Sequence, residues 1–389
     1  MQGTASVDTR FGLTTDEIAI RDMAANFAAE KIAPFTLRWD EDKHFPLGVF
    51  REAAALGMAG IYVRDDVGGS GLTRLCATLI FEALASACPS TSAYLSIHNM
   101  VGWMIDSFGT QEQRESIVPR LCAGEIFTSY CLTEPSCGSD AAALKTTARR
   151  DGDVYVLNGT KQFISGAGAT DLYIVMARTG GPGAAGVSAF IVDRQTPGLS
   201  FGANERKMGW NNQPTRQVIL EDALISASCL LGQEGQGFKI AMAGLDGGRL
   251  NIAACSVGGA AGALEKARLF MRDRRAFGKS LDEFQALQFR LADMATELEA
   301  ARSFLWRAAA MLDASDPAAT KFCAMAKRFC TDVGFDVANQ ALQLHGGYGY
   351  LADYGLEKIV RDLRVHQILE GTNEIMRLII ARALTDATR

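Results

Sequence analysis

The stretch HQILEGTNE, residues 366 to 374, sets two carboxylates four positions apart, Glu370 and Glu374, with Gly371, Thr372 and Asn373 between them. On one continuous helix such a like-charged pair faces across a turn and costs roughly a few tenths of a kcal/mol. The residues between them argue against that helix. Gly371 disfavours a helix interior and Thr372 is a good N-cap, so the sequence predicts a break at Glu370 and a new helix from about Asn373. Glu374 then falls in the first turn, where its charge suits the helix dipole. Glu370, on the break, is left without a structural task, and proton transfer is the chemistry that a placed carboxylate offers.

Other chemistries lack their residues. The four histidines (44, 98, 345 and 366) show no metal-ligand spacing, so no metal is expected. The nine cysteines are odd in number, contain no CxxC pair and lie mostly in apolar surroundings, which predicts buried free thiols in a reducing compartment. FGKS at 277–280 ends like a phosphate loop, but Asp273 stands where its first glycine is needed. There is no GxGxxG between a strand and a helix, and no GxSxG elbow.

The elements around Glu370 follow from pattern and punctuation. At 389 residues two or three domains are expected. Residues 1–129 read as helical, opened by a Thr14–Glu17 capping box, with Pro34 closing the first run and a turn-rich loop at 65–73. Residues 130–232 read as an all-β module of short strands; Asp151-Gly152 and Asn158-Gly159 are its turn dipeptides. Residues 233–389 return to helical periodicity in long segments near 238–272, 284–313, 318–344 and 373–386, which suggests a four-helix bundle. Gly258 and Gly262 have a spacing that allows close helix packing.

Net charge is −5, with 48% hydrophobic and 21% charged residues. That balance argues against nucleic-acid binding, and no apolar run reaches membrane-spanning length. Met1 to Arg10 lacks the blocks of a signal peptide, so a bacterial cytoplasmic protein, or the mature form of a mitochondrial matrix protein, is expected.

Six motifs in order resemble the acyl-CoA dehydrogenase family over essentially the whole chain: YCLTEPSCGSD (130–140), NGTKQFISGAG (158–168), LDGGR (245–249), RRAFG (274–278), QLHGGYGY (343–350) and RDLRVHQILEGTNEIMR (361–377). The resemblance implies an α+β multidomain fold: an N-terminal helical domain, a middle antiparallel β-barrel or sandwich, and a C-terminal four-helix bundle. It implies FAD as cofactor. Tyr130, Cys131, Leu132, Thr133, Glu134, Pro135, Ser136, Cys137, Gly138 and Ser139 would line the flavin, Ser139 also lying near CoA. Phe163, Ile164 and Ser165 would lie against the ring, Phe163 where many relatives carry Trp. Arg274, Phe284, Gln285 and the corner Gln343, Leu344, His345, Gly346 and Gly347 would reach the FAD of a neighbouring subunit in a homotetramer. Thr372, Asn373 and Glu374 would hold the turn and touch the cofactor. Asp246, Gly247, Gly248, Arg249 and Arg382 would contact substrate, and Arg249 reads equally well as a CoA charge partner or a structural ion-pair donor.

Relatives of the isovaleryl and long-chain types carry a catalytic Glu at the place of Gly248. This chain cannot, so the resemblance makes Glu370 the base, as in the isobutyryl, short-chain and medium-chain types. WNNQPTR (210–216), HNMVGWMIDSFG (98–109) and Phe163 look most like the branch acting on isobutyryl-CoA in valine catabolism. A 2-methylbutyryl-CoA or short straight-chain substrate is the alternative. An acyl-CoA oxidase or a DNA-associated homologue of the same fold are the alternatives of other class.

The implied reaction takes the α-proton to Glu370 and the β-hydrogen, as hydride, to flavin N5, with electrons passed to electron-transferring flavoprotein. Each pKa unit of mismatch between carbon acid and base costs about 1.4 kcal/mol. Burial of the carboxylate, lifting its pKa toward roughly 6–7, narrows that gap. So do donors to the thioester oxygen, which by resemblance are the Glu370 backbone N–H and a ribityl hydroxyl.

Overall fold

The structure is a computed structural model and describes residues 7, 8 and 12–385. Two short strands, β1 (Val7–Asp8) and β2 (Leu13–Thr14), pair antiparallel. Helix α1 (Thr15–Phe27) then opens on the expected capping box: the Glu17 N–H donates to Thr14 Oγ1 at 3.2 Å, and the Thr14 N–H to Glu17 Oε2 at 2.7 Å. The run continues as a π-turn over 28–32 before Pro34. Helices α2 (Thr36–Glu41), α3 (Leu47–Ala55), α4 (Arg74–Ala87), α5 (Pro89–Phe108) and α6 (Gln111–Cys122) follow. In α5 nearly every residue is buried, which is why its sequence shows no polar face.

The middle of the chain forms one eight-stranded sheet, in the order β10-β7-β6-β4-β5-β9-β8 with β3 added beside β6. The strands are β3 (Thr128–Cys131), β4 (Thr147–Asp151), β5 (Val154–Ser165), β6 (Leu172–Arg178), β7 (Val187–Asp193), β8 (Leu199–Phe201), β9 (Thr215–Ser226) and β10 (Leu230–Leu231). Pairing is mostly antiparallel, but β3 and β4 each meet β6 in parallel. Asp151-Gly152 turns β4 into β5 as expected. Asn158-Gly159 does not turn the chain. It lies inside β5 as an irregularity, with the register against β9 shifting between Leu157 and Gly159.

The C-terminal part is built on α7 (Gly237–Asp273), α8 (Gln285–Asp313), α9 (Ala319–Leu344) and α11 (Asn373–Thr385), with the shorter α10 (Leu356–Arg364) before α11. Two-residue strands β11 (Arg275–Ala276) and β12 (Lys279–Ser280) make the turn between α7 and α8. α7 is the central element, packed on α4, α5, α8 and α9. β-carbons at Gly258 and Gly262 would come within 2.1 Å of Glu82 O and 2.3 Å of Ser86 O, so α7 and α4 meet backbone to backbone. One Ala-rich core therefore runs continuously through the first and last helical regions.

Candidate active site

Glu370 sits on the expected break. A short 3₁₀ turn ends at Gln367 and α11 begins at Asn373, with Thr372 accepting the Ile375 N–H on Oγ1 at 3.3 Å. The chain crosses this gap in the left-handed region, φ +55° at Glu370 and +85° at Gly371. For a non-glycine residue that conformation costs about 1–2 kcal/mol, and such strain gathers at functional sites. Lys327 of α9, fully buried, holds the turn by donating Nζ hydrogen bonds to Gly371 O at 2.8 Å and Asn373 Oδ1 at 2.9 Å. Asn373 is held in turn by Thr331 and Asp332.

The Glu370 carboxylate projects inward. Its Oε2 is buried without a hydrogen-bond partner and lies against Gly248 of α7, where a β-carbon would sit 2.4 Å away. Met100 of α5 touches the same spot, its sulfur 3.2 Å from that β-carbon position. Desolvation lifts the carboxyl to about 7, against the opposing charges of Arg249 and Lys327. Burial likewise lowers Lys327 to about 7, the negative charge of Glu370 opposing it. The Tyr130 hydroxyl, also buried and unpartnered, is raised first by desolvation and then by Glu370.

Beyond Gly248 the wall is polar. The Arg74 guanidinium lies 3.6 Å from the Tyr62 ring centroid and 5.0 Å from that of Trp103, and fills the space beside Gly247. Asn251 donates to the Tyr62 hydroxyl at 3.0 Å. Arg249 is buried, pairs with Asp246 at 2.5 Å, and leaves its Nε unpartnered. The ion pair that the sequence allowed for Arg249 is formed. Thr320 takes the other oxygen of Asp246.

The β-module meets this region through β3 and the loop after it. Cys131, Cys137 and Ile164 are core residues, and the Glu134 carboxylate is consumed by Lys161 at 2.8 Å and by the N–H groups of Lys145 and Thr146. Their side chains serve the scaffold, so only their backbone is free to meet a ligand. Leu132 and Thr133 are half-buried, while Pro135, Ser136, Gly138 and Ser139 are exposed. Phe163 is 63% exposed at φ +60°, thrown out of β5 where the register shifts between Lys161 and Ile164. The neighbouring Gln162 N–H donates to Thr133 O at 2.8 Å, tying this bulge to the loop. Ser165 lies half-buried at the strand end.

The remaining residues form a separate group. Arg274 caps α7 and stands 5.4 Å over the Tyr348 ring. His345 is a core residue, bonded to Ala341 O at 2.8 Å and stacked on Phe270, and Leu344 is buried beside it. Phe284 and Gln285 open α8 nearby. Arg274 lies twenty-six positions past Gly248 on one helix, about 39 Å at 1.5 Å per residue. Arg382 is exposed, nine positions past Asn373 or about 14 Å along α11, and is not brought to the carboxylate. Among the described residues no cluster of His, Cys, Asp and Glu could hold a metal.

Three family models match in order: the acyl-CoA dehydrogenase N-terminal domain over 14–125, the middle domain over 129–223 and the C-terminal domain over 235–385. The chain belongs to the acyl-CoA dehydrogenase family. It is 55% identical to the mitochondrial isobutyryl-CoA dehydrogenase of Dictyostelium discoideum, over 96% of this chain and 90% of that one. It is 53% identical to the mitochondrial isobutyryl-CoA dehydrogenase of Bos taurus, over 97% and 91%. Butyryl-CoA dehydrogenase of Megasphaera elsdenii superposes with a TM-score of 0.94 at 37% identity, covering 96% of this chain and 99% of that one. As an acyl-CoA dehydrogenase the protein is an oxidoreductase, and the family's cofactor is FAD.

The residues present fit that cofactor. Phe163 offers an exposed aromatic face, residues 135, 136, 138 and 139 are exposed, and the unpartnered buried hydroxyl of Tyr130 lies within the electrostatic reach of Glu370. Three residues around Glu370 and the adjoining Gly247 lie outside the motifs: Tyr62, Arg74 and Lys327. Lys327 alone left a usable signal, a lone cation on the α9 face that otherwise buries Cys323, Ala324, Cys330 and Thr331.

Proposed function

We propose that the protein is an FAD-dependent isobutyryl-CoA dehydrogenase with Glu370 as its base. The supporting observation is the unpartnered, buried Glu370 Oε2 against Gly248, in a site that lifts the carboxyl to about 7. A base with a pKa near the working pH is both ionised and strong enough to take a carbon-bound proton. No described residue accepts the Glu370 backbone N–H, which leaves it a free donor for the thioester oxygen as negative charge develops there. FAD, when bound, accepts the β-hydrogen as hydride. The backbone of 131–139, the Phe163 ring, Ser165 and the 372–374 turn would hold it, and Gly247 and Gly248 leave room for the Arg74 guanidinium and the Glu370 carboxylate.

Substrate choice rests on the identity to isobutyryl-CoA dehydrogenases and on the wall of Arg74, Tyr62 and Asn251, whose polar groups a longer apolar tail would have to displace. The distance between Arg274 and Gly248 favours FAD held between subunits, Arg274, Phe284, Gln285 and the 343–347 corner serving a neighbour in a homotetramer. Ser139, Asp246, Arg249 and Arg382 are assigned to the CoA side, Arg249 acting through Asp246. Electron-transferring flavoprotein is the acceptor, the domain limits are 1–129, 130–232 and 233–389, and the compartment is the bacterial cytoplasm or the mitochondrial matrix.

The test is a kcat/KM panel over isobutyryl-, 2-methylbutyryl-, butyryl- and hexanoyl-CoA with electron-transferring flavoprotein as acceptor. Isobutyryl-CoA should lead by about tenfold or more, the scale of a methyl group in an apolar pocket. A straight-chain substrate in first place would contradict the substrate assignment.

A further inference from the structure

Lys327 is an expensive residue for its position. A lysine with no exposure gives up its hydration and is rarely fully buried unless paired. Its neighbours on the buried face of α9 are Cys323, Ala324, Cys330 and Thr331, so packing alone would be met by methionine or leucine. Both of its hydrogen bonds end on the turn that carries Glu370, at Gly371 O and Asn373 Oδ1. That turn is strained, with two successive left-handed residues. Neither bond reaches a carboxylate, so they place a positive charge beside Glu370 without neutralising it.

We propose that Lys327 is a positioning residue for the base: its ammonium pins the Gly371 carbonyl and the Asn373 side chain, and so aims the Glu370 carboxylate at Gly248. This rests on the reading of Glu370 as the base. The same ammonium favours the ionised form of Glu370, as its charge opposes the effect of burial. The groups that face this pair are Arg249 and Cys255 of α7, Asp332 of α9, Glu374 of α11, Tyr62, Tyr130 and the buried neutral His366. Of these, Arg249 opposes the burial of Glu370 more strongly but is committed to Asp246, and the aromatic and thiol groups are neutral near pH 7, so Lys327 is the second cation whose removal should be felt.

The experiment compares K327M, K327R and E370Q as flavin-loaded proteins, each checked for flavin content and melting temperature. Two quantities are read: anaerobic flavin bleaching by isobutyryl-CoA against pH, and α-hydrogen exchange of a non-oxidisable acyl-CoA analogue in D2O. K327M should slow both by about 10²-fold, the cost of a small misplacement of a reacting group, with analogue affinity changed by less than about threefold. Its bleaching profile should move to higher pH, because a lost cation raises a carboxyl pKa. K327R should recover most of the rate and the profile. K327M within about twofold of wild type in both readouts, beside an inactive E370Q, would overturn the proposal and leave the base intact. A slow K327M with an unmoved profile and no recovery in K327R would reduce Lys327 to packing and overturn it equally. An active E370Q would remove the base reading itself. Should K327M not fold, K327Q replaces it, and an unshifted profile there would count against the proposal.

Discussion

A β-carbon built on Gly248 lands 2.4 Å from Glu370 Oε2 and 3.0 Å from its Cδ. The two residues, 122 positions apart in the chain, thus share one volume, which only one side chain can occupy. A methyl group at 248 must push the carboxylate away. G248A should therefore keep its flavin and its melting temperature nearly unchanged while losing about 10²-fold in kcat, as expected for a misplaced reacting group. Stopped-flow flavin reduction at saturating substrate measures this directly.

The raised pKa of Glu370 gives two pH dependences. The carboxylate must be ionised to take a proton, so bleaching should rise with pH up to about 7. Stability runs the other way. A carboxyl raised from 4.5 to about 7 on folding binds its proton more tightly in the folded state, so its contribution is full below about 4.5 and is lost as pH rises through about 7. E370Q removes that loss. Its melting temperature, measured without ligand, should match wild type at pH 5 and exceed it at pH 8.

Arg74, stacked on Tyr62 beside Gly247, closes the wall next to the base. R74L should open the site toward longer tails. The ratio of kcat/KM for hexanoyl- over isobutyryl-CoA should rise by about 10- to 100-fold, the scale of one or two methylenes in a pocket. An unchanged ratio would remove Arg74 from the specificity argument.

Glu134 separates scaffold from site within one motif. Its carboxylate is paired with buried Lys161 and accepts two backbone N–H groups. E134A strands a buried ammonium, a change that costs about 3–5 kcal/mol, and should lower the unfolding midpoint in urea steeply. S136A, two residues on and exposed, should leave that midpoint unchanged.

Local chemistry made much of this legible. The Glu370 break, the Asn373 helix start and the Thr14 cap follow from a few neighbouring residues whose preferences agree with the fold. The three-part order and the four long C-terminal helices follow from a change of period. Asn158-Gly159 misled because turn dipeptides also serve strand irregularities, and only cross-strand register tells the two apart. The surroundings of Glu370 were less visible. Lys327 on α9, Met100 on α5, Arg74 on α4 and Tyr62 in the turn after α3 surround it and the adjoining Gly247 and Gly248, and side chains that meet only through tertiary packing leave no spacing in the chain. Motif residues such as Glu134, Cys131 and His345 turned inward for the converse reason: a loop needs its own small core before its backbone can be held open.

Proton transfer at Glu370 is read most directly by single-turnover anaerobic bleaching of flavin-loaded E370Q by isobutyryl-CoA. The expected result is a yellow protein of normal flavin content and substrate affinity that bleaches about 10⁴-fold more slowly than wild type, the upper range for loss of a general base. Bleaching within about tenfold of wild type would contradict the assignment of the base.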